Sequence, residues 1–232
     1  MPGLSITSIG AELLDDPEAN PAAVAESLRN IARANRWFGG AAAVRYGLSR
    51  TLGAVPPGTA LTLVDLGTGL GDLPRVAMRW GAARGIQIQP LGIELNRVAA
   101  GLARARGVPT ALACAGAPPF RDKSVDVVLV SQVAHHLTGE SVVHLLRTCD
   151  CLARRAVVVA DLRRNRLAGP AFWCGAQMLG FDHVTITDGM TSIRRGFSKR
   201  ELVVLLGRAG ISGRVDRRPG FRLVATWSPV QS

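Results

Sequence analysis

Between Leu61 and Leu162 the hydrophobic period keeps switching. Short Val- and Leu-rich runs alternate with stretches of helical pattern. The order is LTLVDL from Leu61, Leu73 to Ala83, IQIQPLGIEL from Ile86, Asn96 to Arg106, VPTALAC from Val108, VDVVLVS from Val125, Ser141 to Leu152, and AVVVADL from Ala156. Strands separated by helices of about 10–15 residues mean βαβ units and a parallel sheet. Such sheets bind ligands beyond the carboxyl ends of their strands. The positions to inspect are therefore Asp65 onward, Glu94, Cys114, Ser131 onward and Asp161.

The flanks read differently. Pro21 to Leu52 is helical, with Asn20 as cap and a break near WFGG (Trp37 to Gly40). VPPGT, from Val55, is a linker. Leu167 to Gly180 is apolar and reads as a cap helix. Ser198 and Glu201 make a capping box before LVVLLGRAG, and Gly210 suits that helix's end. ISGRVDRR, PG and FRLVATW read as a hairpin. Residues 1–58 are then an N-terminal helical cap, and 59–232 the ligand-binding domain, with a cap insertion at about 165–197.

The first of these five strand ends carries a glycine loop: VDLGTGLGD, Val64 to Asp72. A phosphate-binding P-loop needs a Lys and a hydroxyl that are missing here. A dinucleotide fingerprint needs a third glycine where Asp72 stands. Asp65 and Asp72 would repel a pyrophosphate and suit a ligand with a cationic end and no phosphate.

VDLGTGLGD resembles the first motif of the class I S-adenosylmethionine (SAM)-dependent methyltransferases. GIELN, from Gly92, resembles their acidic second motif, and FRDKSVDVVLVSQVAHHL, from Phe120, their fourth-strand motif. The resemblance implies a Rossmann-like fold: a mostly parallel seven-stranded sheet with an antiparallel C-terminal hairpin. It implies SAM as cofactor and S-adenosylhomocysteine (SAH) as product. Asp65, Gly67, Thr68, Gly69, Gly71, Asp72, Glu94, Leu95, Cys114, Ala115 and Ser131 would border that cofactor. Asp65 would meet the amino group, and Glu94 both ribose hydroxyls. Asp72 caps the following helix or contacts ligand. Many relatives carry an Asp where alignment on Pro119 and Phe120 puts Cys114. A thiol is a weak acceptor, so adenine would rest on apolar contacts and the Ala115 N–H.

The acceptor is read from strand ends. SQVAHH stands where enzymes methylating exocyclic amines of bases carry [ND]PP[YF]. Cys114 lies at the adenine edge, away from any role as a cytosine-attacking nucleophile. No Asp/Asn cluster follows the fourth strand, so no metal is expected. His135 remains as general base, oriented by Asp161 on the neighbouring strand, although both loop histidines equally suit binding roles alone. His136 is the second candidate, or packs at the start of the next helix. The resemblance is to small-molecule enzymes of quinone and aromatic-polyketide type, and more narrowly to bacterial members of phenolic-polyketide pathways. An O-methylated aromatic acceptor follows, set against Trp37, Phe38, Phe172, Trp173 and Met178, with Arg163 for an acidic group. The aromatics equally suit a core between cap helices, and Arg163 a solvated face.

The net charge of +11 is carried almost wholly by Arg, Lys123 and Lys199 being the two lysines. A basic balance allows an RNA or protein methyltransferase as the alternative, and a non-catalytic SAM-binding partner is a second. Nucleic acid is nevertheless not the expected partner. Four cysteines without CxxC spacing, no leader-like start and no apolar run of about 20 residues suggest a reduced, cytoplasmic protein without a membrane span, monomeric or homodimeric.

Overall fold

The computed structural model describes residues 5, 7–10, 12–16 and 18–229. Helix α1 (Pro21–Trp37) and helix α2 (Gly40–Leu52) come first. The Asn20 side chain accepts from the Ala22 and Ala23 amides and starts α1. The alternating region then lays down β1 (Ala60–Leu66), α3 (Asp72–Ala82), β2 (Gln87–Glu94), α4 (Arg97–Ala105), β3 (Thr110–Leu112), β4 (Val125–Ser131), α5 (Gly139–Leu152) and β5 (Ala153–Leu162). Helices α6 (Ala168–Met178), α7 (His183–Arg195) and α8 (Lys199–Ala209) follow, and β6 (Arg214–Arg218) and β7 (Arg222–Trp227) close the chain.

The seven strands form one sheet in the order β3-β2-β1-β4-β5-β7-β6. The first five are parallel, and β7 runs antiparallel to both β5 and β6. This is the sheet expected from the sequence. Its central strands are apolar on both faces because both are covered. Alternation divides them: Val64, Val128, Val130, Val157 and Val159 join α5 and α8 in one core. Leu61, Leu63, Val127, Leu129 and Val158 join α2 and α3 in the other. A period of two thus becomes two cores. Helix α2 accordingly packs on the sheet, while α1 reaches α4 and α7 across the strand ends.

The Ser198–Glu201 capping box forms, and Gly210 ends α8 in the left-handed conformation. Helix α7 has no counterpart in the sequence reading. Its start is capped by Asp182, which accepts from the Thr185 amide. β-Branched residues and Gly189 make its intrinsic helix propensity weak. Tertiary packing supplies what propensity lacks. A Cβ at Gly189 would lie 2.3 Å from the Phe172 ring, so α6 sits directly on α7 there.

Candidate functional site

The strand order reverses between β1 and β4, where the following loops diverge, and a cavity of about 470 Å³ opens at that switch point. The ends of β1, β2 and β4 line its floor, and α1, α6 and α7 contribute its cover.

The glycine loop borders this floor. Gly67, Gly69 and Gly71 have φ of 80°, 52° and 74°, a region open to glycine and strained for other residues. The loop's amides are already used. Gly67 and Thr68 donate to the Ile93 carbonyl, Gly71 donates to the Thr68 carbonyl, and Gly69 donates to Glu94 Oε2 at 2.8 Å. These four N–H groups are therefore not free for a phosphate. Three carboxylates face the same space: Asp65, Asp72 and Glu94. Burial pushes the Asp65 carboxyl well above its ordinary range, and the charges of Asp72 and Glu94 add to the shift. Asp65 Oδ1 has no hydrogen-bond partner among the described residues. Thr68 Oγ1 and Ser131 Oγ are buried and unpartnered as well. A cation is what this wall calls for.

Glu94 also accepts from the Leu95 and Asn96 amides, at 2.8 and 3.0 Å. Three amides use about three of the roughly four lone-pair positions of a carboxylate. Asp72 is the first residue of α3, and Gly71 occupies its cap position. The Asp72 carboxylate accepts from Asn35 Nδ2 at 3.0 Å, and burial raises it, with the Asn35 bond opposing. Leu95, Cys114 and Ala115 line the cavity, and Leu95 is 75% exposed beside it.

His135 and Asp161 come together beyond β4 and β5. His135 Nδ1 lies 2.6 Å from Asp161 Oδ1, and both side chains are buried. A carboxylate can only accept, so this geometry puts a proton on Nδ1, and in the neutral ring Nε2 is then the lone-pair nitrogen. Nε2 has no partner among the described residues, and His135 lines the cavity. The Leu162 amide donates to Asp161 Oδ1 at 2.7 Å. Burial would raise the Asp161 carboxyl, but the charge and hydrogen bond of His135 outweigh it and hold the group below its ordinary range.

His136 faces another cluster. Its Nδ1 donates to Asp15 Oδ1 at 2.9 Å. Arg195, from α7, binds Glu12 Oε1 at 2.9 Å and Asp15 Oδ2 at 2.8 Å, and donates to the Ile9 and Gly10 carbonyls at 2.7 and 2.6 Å. Burial raises the Glu12 carboxyl despite His136, Ser192 and Arg195; bonds from His136 and Arg195 overcome burial at Asp15 and hold it far below its usual range. Donor atoms of Glu12, His135 and His136 lie within 4.8 Å of one another, a spacing that can hold a metal ion. Arg195 already supplies positive charge to that carboxylate.

Of the remaining expected site residues, Trp37, Phe38 and Phe172 line the cavity. Phe38 meets Phe172 and Phe181 edge-on, with centroids 5.6 and 6.5 Å apart. Trp173 and Met178 lie outside that lining and are 50% and 88% exposed. Gly71 and Asp161 stand behind the cavity surface, and Arg163 stacks on Phe221 outside it. Sequence reasoning missed Asn35, Gln132 and Arg222, which do line it. A signal existed for Arg222, a single charge inside the otherwise apolar run FRLVATW. Asn35 carried none.

Residues 64–159 match the family model described as a methyltransferase domain. No curated protein matches the chain. Among solved structures it is similar to the plantazolicin methyltransferase in complex with SAH, at 13% identity over 94% of each chain and a TM-score of 0.68. It is similar to magnesium protoporphyrin IX methyltransferase from Synechocystis PCC 6803 with bound SAH, at 14% identity over 83% of each chain and a TM-score of 0.55. A SAM-dependent methyltransferase from Aquifex aeolicus matches at 17% identity over 76% of this chain and 85% of that one, with a TM-score of 0.54. At these identities the likeness to the solved structures is one of fold.

Proposed function

We propose that the chain is a SAM-dependent methyltransferase of the class I type, as the match of residues 64–159 to a methyltransferase-domain model supports, and that it methylates an oxygen of a small aromatic acceptor, with His135 as general base. The observation that carries the base assignment is the buried, unpartnered Nε2 of His135, presented to the cavity while Asp161 holds Nδ1. The cofactor assignment is carried by the three carboxylates around a loop whose glycine amides are already bonded.

When bound, SAM supplies a methyl group activated on a sulfonium. Asp65 would hold the ammonium, relieving its buried, unpartnered oxygen. Glu94 would turn its remaining acceptor capacity toward the ribose hydroxyls. Leu95, Cys114 and Ala115 would border the adenine. Phe38, Phe172 and Phe181 give the acceptor an apolar wall and exclude water. His135 Nε2 takes the acceptor's hydroxyl proton as the oxygen becomes nucleophilic, and Asp161 stabilises the resulting imidazolium. Residues 1–58 and the insertion at about 165–197 act together as the cap. No helix among the described residues is long and apolar enough to cross a membrane. The four cysteines are free, which supports a reducing, cytoplasmic setting.

Two measurements check this reading. Calorimetry should show SAM and SAH binding and no NADH binding; NADH binding without SAM would overturn it. Glu94→Ala should weaken SAM by about 1–3 kcal/mol, the scale of hydrogen bonds to a charged group. Unchanged affinity would put the ribose elsewhere.

Turnover should also proceed in the presence of a chelator. Arg195 already pairs with Glu12 and would repel a dication placed between Glu12 and the two histidines. Loss of turnover in EDTA, restored by added metal, would reassign His135 and His136 as ligands.

A further inference from the structure

The cavity wall holds one buried cation that the reaction described above leaves unused. Arg222 opens β7 and is 4% exposed. It arrives there because the β6–β7 hairpin presses on the α1–α2 junction. A Cβ on Gly39 would lie 2.5 Å from the Pro219 carbonyl oxygen, and one on Gly220 would lie 2.4 Å from the Phe38 carbonyl oxygen. Both glycines have positive φ, so two backbones touch where side chains cannot fit.

The contact fixes the guanidinium. Arg222 Nε donates to the Phe38 carbonyl at 3.1 Å, and Nη1 donates to Gln132 Oε1 at 2.8 Å. Gln132 stands just past β4 with φ of 58°, an uncommon conformation for a residue with a side chain. Its Nε2 donates to Asn35 Oδ1, and Asn35 in turn donates to Asp72. A continuous polar chain therefore runs from the glycine-loop end to Arg222, with every side chain in it lining the cavity.

Among the described residues, no carboxylate pairs directly with Arg222, and its Nη2 has no hydrogen-bond partner. Burial pulls the group down to about 10, with Asp161 opposing from nearby, so it stays charged at neutral pH. An unpaired buried charge is costly unless something compensates it. The other acids on the cover are already engaged. Glu12 and Asp15 share Arg195, and Asp188 accepts from the Leu13 amide.

We infer that Arg222 is the specificity-determining residue for the acceptor, and that the acceptor carries an anionic oxygen group, a carboxylate or an ionised acidic hydroxyl, received by Nη2 on the Gln132 side of the cavity. The inference rests on the small-acceptor reading above and narrows it to acidic aromatics. The planar, forked guanidinium suits a carboxylate better than an ammonium would. Its charge also balances the acceptor's anion next to Asp161. The role expected of Arg163 for an acidic group thus falls to Arg222, which lines the cavity while Arg163 does not.

The test uses the whole chain saturated with SAH, whose own binding is measured first. Three probes are titrated by calorimetry: 1-hydroxy-2-naphthoate, its neutral amide, and 2,4-dinitro-1-naphthol, which is ionised at neutral pH. At least one of the two anions should bind about tenfold or more tightly than the amide, and the preferred anion tells carboxylate from phenolate. Arg222→Met should abolish that preference, and Arg222→Lys should restore part of it. SAH affinity and the thermal midpoint report whether a variant still folds. Equal binding of anions and amide by the wild-type protein, or no binding of either anion, overturns the inference while SAH binding leaves the cofactor site standing. A retained anion preference in a folded Arg222→Met variant overturns it as well. Failure to bind SAH overturns the underlying functional reading instead.

Discussion

Replacing His135 by Ala is expected to lower turnover about 10²–10⁴-fold, the span typical of a lost general base. SAM affinity should stay near that of the unaltered protein, because His135 lies against β5, away from the loop after β1 proposed to hold the cofactor. Asp161→Asn should also be slow. The carboxylate accepts from His135 Nδ1, the His135 amide and the Leu162 amide. An amide in its place presents one acceptor oxygen for three donors, and the imidazole loses the charge that stabilises its protonated form. The two losses should not add in the double variant, since both act through one proton transfer. Normal turnover by the His135 variant would remove it as base, leaving His136 or an acceptor that arrives already ionised.

The largest stability effect is expected at Arg195. Its side chain is fully buried and holds two carboxylates and two carbonyls of the segment before α1. Arg195→Met removes the only cation in that cluster among the described residues, apart from a protonated His136, and leaves Glu12 buried without it. Breaking a buried ion pair from one side costs about 3–5 kcal/mol. The segment's other ties are few. Thr7 donates to the His136 carbonyl, Ser5 to Ser141 Oγ and Leu13 to Asp188, while Asp15 accepts from His136 and Glu12 from Ser192 Oγ. The cost should therefore fall locally, as opening of this segment before the sheet unfolds. Hydrogen exchange at the Thr7 and Asp15 amides should quicken about 10²–10³-fold, while amides of β4 and β5 keep most of their protection. Uniform loss of protection across the sheet would show that the segment is integral to the core. Unchanged exchange would show that the ion cluster adds nothing.

This segment bears on function because it helps close the cavity. Glu12, Leu14 and Asp15 line it, and the Asp15–His136 bond ties the cover to the residue beside the proposed base. The His135 and His136 rings lie 4.3 Å apart. Loosening the segment should therefore raise the KM of the acceptor more than that of SAM.

The order of strands and helices from β1 to β5, the glycine loop, the Asn20 and Ser198 caps and the C-terminal hairpin were all legible in the chain itself. Each is a local signal. The unbroken apolar run Val127–Val130 writes a strand buried on both faces, and Asn20-Pro21 writes a helix start, without help from distant residues. The pairing of His135 with Asp161 was also open to inference, because parallel strands put their carboxyl ends side by side. The missed parts are long-range and polar. Arg222 meets Gln132 across 90 positions, Asn35 meets Asp72 across 37, and Arg195 meets Glu12 across 183. Hydrogen bonds of this kind have no period. They depend on where two backbones come to lie, as at Gly39 and Gly220, and only the packed fold decides that. Helix α7 belongs with them, since its sequence favours helix weakly and its place is set by Phe172 over Gly189 and by Asn30 reaching Asp182 at 2.9 Å. The sequence alone thus determined which fold forms and which strand ends bring Asp65, Asp72 and Glu94 to the cavity. Tertiary structure decided which charges are left unpaired around the cavity, because burial and pairing are properties of the assembled walls.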